Sequence, residues 1–164
     1  MKILAPAIFL TAGLAIPAQA AECRQGNAIY GDRDAAFELA FSPVGSDVAA
    51  ISHQFHVKVL DTSLILDGHV LGSDPLNRPT ATVLNHCPDG DVTGADLAAC
   101  TVWEGSIYGH TDGVINLLPP EDAPAAAEIL LAGFGDGLRN SSAWGPNKAT
   151  VAPWDIFTLK GCKP

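Results

Sequence analysis

Phe37, Leu39 and Phe41 alternate with Glu38 and Ala40, the period of a strand with one buried face. Pro43 and Gly45 end the run. Alternation resumes from Val48 to Leu60, where Phe55, Val57 and Val59 share one face and Gln54, His56 and Lys58 the other. Asp61-Thr62 offers a turn and Ser63 to Leu71 a returning strand, so the two predict a long hairpin. Gly72 to Pro79 reads as a loop carrying two prolines, and Thr80 to His86 as a further β-branched strand. Cys87-Pro88-Asp89-Gly90-Asp91 is turn chemistry. A short helix is expected over Gly94 to Ala99, and then a strand from Thr101 to Tyr108 that contains Trp103. His110-Thr111-Asp112-Gly113 marks a hairpin through its Asp-Gly pair, with Val114 to Leu118 returning.

Pro119-Pro120 interrupts the strand pattern, and one late helix is expected beyond it. Asp122 is placed to cap that helix, Pro124 suits its first turn, and Glu121, Asp122 and Glu128 favour the positive end of its dipole. Ile129, Leu130, Gly133, Phe134 and Leu138 recur near helical spacing and form its expected buried face. The glycines at 133, 135 and 137 weaken its second half. A loop from Asn140 to Pro153 leads to a last strand, Asp155 to Lys160. The sum is mainly β with one late α-helix, an α+β chain. Strands arriving as hairpins imply an antiparallel sheet, so the expected architecture is a sandwich or partly open barrel of about seven strands.

The chain start changes the picture from architecture to address. Lys2 is followed by an almost wholly apolar stretch from Ile3 to Ile16, and Ala18-Gln19-Ala20 is a small-x-small cleavage site, so residues 1–20 read as a Sec-type signal peptide. The stretch is short and carries Pro6 and Pro17, against a retained membrane helix. Cleavage after Ala20 leaves residues 21–164 as one globular domain, exported to the periplasm or the medium. A lipoprotein needs its cysteine first after the cut. Ala21 and Glu22 precede Cys23, so Cys23 is read as a disulfide partner. Four cysteines in an exported chain imply two bridges with three connectivities, and Cys87–Cys100 with Cys23–Cys162 is favoured. Zinc and thiol-redox readings both lack a Cys-x-x-Cys pair.

Charge then removes partners. The formal net charge is −9, and loss of the leader takes one lysine and no acid. So acidic a chain repels nucleic acid and anionic membrane surfaces, which leaves a protein or small-molecule ligand as the expected partner.

Candidate chemistry is sparse. Asp89-Gly90-Asp91-Val92-Thr93-Gly94 matches the start of an EF-hand loop, with Asp96 as a further oxygen donor, so Asp89, Asp91 and Asp96 are weak calcium candidates. The match fails at the twelfth position, where Cys100 replaces the bidentate Glu, and Thr93 with Asp96 also reads as a helix cap. On a strand His53 and His56 face opposite ways and cannot share a metal. Ser106, His110 and Asp112 lie in one hairpin, but Ser106 and His110 are roughly 13 Å apart along a strand, too far for a nucleophile–base pair. The nucleophile elbow Gly-x-Ser-x-Gly is absent. Gly133, Gly135 and Gly137 superficially match a phosphate loop, but are expected to close a helix rather than open one. Trp103, Trp144 and Trp154 are candidates for a binding surface; Trp103 is expected in the core, and Trp144, in a loop, is the candidate exposed contact residue. No cofactor is implied. The leading expectation is an exported, non-enzymatic binding protein. A cell-envelope hydrolase and a weak calcium-binding module are the alternatives.

Overall fold

The computed structural model describes residues 23–45, 50–72 and 78–164. The leader expected over residues 1–20 lies outside the described residues, as does most of the loop expected between Gly72 and Pro79. The described residues form nine strands and two short α-helices, preceded by one 3-10 turn at Gln25–Asn27. In chain order these are β1 (Ala28–Asp32), β2 (Phe37–Ser42), β3 (Ile51–Val59), β4 (Ile65–Leu71), β5 (Thr80–Leu84), α1 (Gly94–Cys100), β6 (Thr101–Thr111), β7 (Val114–Leu117), β8 (Glu128–Leu131), α2 (Phe134–Arg139) and β9 (Ile156–Cys162).

The sheet is mainly β and antiparallel, as its hairpins imply, and it closes on itself. Strands run β1-β2-β3-β4-β5-β6-β8-β9 and return to β1, an eight-stranded barrel. The expected sandwich or partly open barrel of about seven strands is roughly compatible with this, and the structure is a closed barrel with one extra strand. Two elements make the difference. β1 carries no clean alternation to reveal it, since four of its five residues are buried. β8 falls inside the stretch whose spacing suggested a helix. Pairing of β8 with both β6 and β9 is what shuts the barrel.

The expected long helix is thus replaced by three pieces. Residues around Asp122 form a turn, in which Ala123 N–H donates to Pro120 O at 3.0 Å, and pack along residues 23–25 through Gln25 N–H to Ala123 O and Ala125 N–H to Cys23 O. Glu128 to Leu131 is strand, so Ile129 faces inward and Leu130 outward. Only Phe134 to Arg139 is helical. Gly133 starts it in the left-handed region, at φ 75°. A Cβ on Gly137 would lie 2.9 Å from the Val102 carbonyl oxygen, so α2 rests on β6 at a distance only glycine allows. The glycines that should have ended a helix are what seat it.

Inside the barrel, alternate residues fill the space, as in other eight-stranded barrels. Phe37, Leu39 and Phe41 of β2 meet Phe55, Val57 and Val59 of β3 and Leu66 and Val70 of β4, all buried. From α2, Phe134 packs between Trp103 and Phe157, with ring centroids at 5.9 and 6.3 Å. Some polar groups within are partnered locally, although the buried Gln25 Nε2 is not. The Tyr30 hydroxyl lies 3.0 Å from both Gln25 Oε1 and the Ala126 carbonyl, and Gln25 Oε1 also accepts from Ala126 N–H.

Two disulfides brace the shell. Cys23 joins Cys162 with Cα atoms 5.6 Å apart, and Cys87 joins Cys100 with Cα atoms 5.2 Å apart. The first ties Cys23, just before β1, to the end of β9, next to the β1–β9 pairing. The second closes the loop that leads into α1.

Candidate functional site

Register defines the outer surface of one side of the barrel. Tyr108 of β6 stands opposite Leu117 of β7 and Leu130 of β8, and Leu130 stands opposite Ile156 of β9. Directly paired residues point to the same face, so these four side chains form one outward apolar row across four strands. The next row runs Ile115, His110, Glu128 and Thr158. Ile115 is 60% exposed, Leu117 57% and Ile156 48%. His110 Nδ1 and Glu128 Oε2 are 2.8 Å apart, both partly shielded, which fixes the one acid–base pair on this face.

A groove of about 610 Å³ adjoins the rows and shares Glu128, Leu130 and Ile156 with a smaller dimple beside Ile115 and His110. Its wall is built by the turn after β1. Asp32 is buried, and its Oδ1 accepts from the N–H groups of Ala36 and Phe37, both at 2.8 Å. That bracing holds Arg33 and Asp34 toward Trp154. The Arg33 guanidinium lies 4.0 Å from the Trp154 ring centroid, and Trp154 Nε1–H donates to Asp34 Oδ2 at 3.0 Å. Trp154 is thus fixed in place while 53% exposed. Across the groove, Arg139 and Asp136 of α2 face one another.

The residues singled out from the sequence lie elsewhere or in other roles. Trp144, the expected exposed contact, is half-buried and packed on the core, and its loop is drawn in by its bridge to Ala149. Trp154 is the exposed tryptophan. Trp103 is in the core, where its Nε1–H donates to Ala132 O. Asp89 and Asp91 sit exposed in the loop before α1. The Asp96 carboxylate is engaged by the Thr93 hydroxyl and backbone N–H, and those bonds hold its pKa below the ordinary value. No group of three or more His, Cys, Asp or Glu placed to hold a metal occurs among the described residues. His53 faces inward and His56 outward, where its Nδ1 meets Asp67 at 3.0 Å. Ser106 is on β6 opposite Thr80, while His110 is held by Glu128.

The glycine-rich stretch needs a further correction, because Gly133 follows a strand and opens a helix. The phosphate reading gains nothing by this. Gly133 N–H, at the start of the six-residue α2, already donates to Asp155 Oδ1 at 3.1 Å.

Sequence reasoning missed Arg33, Ile115, Leu117 and Ile156. Each is unremarkable alone, and they become a surface only through the register of four strands. Leu130 was assigned to a buried helix face, which concealed the row it completes. Comparison with protein-family models, curated proteins and solved structures returned no match.

Proposed function

We propose that this is an exported, non-enzymatic binding protein that engages a protein partner through the outer face of β6, β7, β8 and β9. The observation that carries the reading is the outward row of Leu117, Tyr108, Leu130 and Ile156, exposed at both ends and half-buried between them, continuous with the groove under Trp154. Contiguous exposed apolar surface with a polar rim is what protein-recognition sites present. A fixed, amphipathic tryptophan stacked by an arginine is a typical anchor of such sites. The barrel interior is occupied by side chains, which favours an outer-surface site over an enclosed small-molecule site. The acidic balance favours a partner with a basic surround. Two disulfides support an oxidising address, and among the described residues no helix is long and apolar enough to cross a membrane.

Photo-crosslinking in the native host tests this reading. A crosslinker at Ile156 or in place of Trp154 should capture a discrete partner, and one at Lys58, on the far side of the barrel, should not. Equal labelling from both positions, or none from either, would overturn it.

A further inference from the structure

We infer that β7 is a dimerisation strand, which pairs edge to edge with β7 of a second copy of this chain. Among the described residues β7 is the one strand with a single neighbour, since β5, at the other end of the strand order, is taken up by β6. The direction of its backbone groups follows from the turn. Asp112 and Gly113, at φ 53° and 80°, make a two-residue hairpin closed by Thr111 and Val114. In an antiparallel ladder hydrogen-bonded and non-bonded pairs alternate. Val114 and Asn116 therefore bond to Thr111 and Gly109, and Ile115 and Leu117 turn their N–H and C=O away from β6. The same phase appears on β6, where Ile107 N–H reaches Pro79 O on the edge that β7 extends.

That free edge is self-complementary. Antiparallel pairing about Asn116 sets Ile115 opposite Leu117 of the second copy, and Leu117 opposite its Ile115. Both pairs have their N–H and C=O groups facing, which gives four hydrogen bonds from two residues per copy. On the outer face the same pairing brings Ile115 against Leu117 twice. Both side chains are more than half exposed in the monomer. Asn116 then meets its own copy across the two-fold axis, where two amides can donate and accept reciprocally. Charge argues in the same direction. The chain carries a formal −9, so two copies repel one another over most of their surfaces. Residues 114–120, Val-Ile-Asn-Leu-Leu-Pro-Pro, carry no charge at all. Exposed edge strands are ordinarily protected by shortness, charge, proline or a bulge; β7 is short, at four residues, but carries no charge, proline or bulge within them. The inference concerns the edge of the sheet and stands whether or not the outer face binds another protein.

Sedimentation of the purified, oxidised protein over a wide concentration range tests it. The wild type should show a concentration-dependent monomer–dimer equilibrium. Asn116→Asp sets like charges face to face, and should weaken the association by about tenfold or more. Ile115→Pro removes a donor from the free edge alone and should do the same with the melting temperature of the barrel retained. Should Ile115→Pro fail to fold, Asn116→Asp, at an exposed site, carries the test together with register-specific cross-linking. Residues 116 of the two copies face each other at roughly 4.5 Å between Cα atoms, within disulfide reach. Asn116→Cys should therefore oxidise to a covalent dimer. Val114→Cys should not, because its copies lie about 13 Å apart along the ribbon. A wild type that stays monomeric, a dimer that both edge variants leave intact, or equal cross-linking at 114 and 116 would each overturn the inference.

Discussion

At the scale of single residues, the strain points of this barrel are its few buried polar side chains. Tyr30 is fully buried, and burial pushes its phenol up to about 12, opposed in part by the hydrogen bond to Gln25. Tyr30→Phe leaves the Ala126 carbonyl without its partner inside the barrel and should cost about 1–3 kcal/mol in urea unfolding. His53 shows the opposite shift. Burial lowers its pKa, although the Pro119 carbonyl and the charge of Glu121 pull the other way. The folded protein therefore resists a proton that the unfolded chain accepts. Stability from this group is fully present above about pH 6.5 and is lost as the pH falls from there through the lower, folded value. The urea midpoint should drop between pH 7.5 and pH 5, and His53→Gln should flatten that drop. An unchanged slope in the variant would assign the acid sensitivity to other groups. The inward place of Phe37, Leu39, Phe41, Phe55, Val57 and Val59 was readable from alternation alone, because each strand has one wet face. Arg33 and Trp154 were not readable as a pair, since 121 positions separate them and only the turn braced by Asp32 brings them together.

At the scale of elements, local signals worked where a segment solves its own hydrogen bonding and failed where the barrel solves it. The hairpin of β3 and β4, the Asp-Gly turn and α1 with its capping box at Thr93 all follow from adjacent residues. β8 does not. Glu-Ile-Leu-Leu at 128–131 suits a helix equally well by composition, and it is a strand because β6 and β9 offer unpaired edges on both its sides. α2 is likewise dictated from outside, by the close approach to β6 that Gly137 permits. For α1 the capping geometry carries a direct consequence. Thr93→Ala should destabilise the protein by about 1 kcal/mol. Since Thr93 already occupies the Asp96 carboxylate, calcium and EDTA should leave the melting temperature of the wild type unchanged. A calcium-dependent rise would restore Asp89, Asp91 and Asp96 as ligands.

At the scale of the whole molecule, the two disulfides differ in what they constrain. Cys23–Cys162 spans 139 positions and Cys87–Cys100 spans 13. On the loop-entropy model they contribute about 5 and about 3 kcal/mol, so Cys23→Ser/Cys162→Ser should lower the denaturation midpoint more than Cys87→Ser/Cys100→Ser. An equal or reversed order would show that loop closure in the unfolded chain does not decide the ranking. The longer bridge has another consequence. With Cys23 and Cys162 joined beside the β1–β9 seam, the segment between them is a covalent ring. A protease that cuts one surface loop turns the ring into a line without parting it. The nicked molecule keeps its full mass until a reductant is added, and the strands on either side of the cut stay tethered to the barrel they complete.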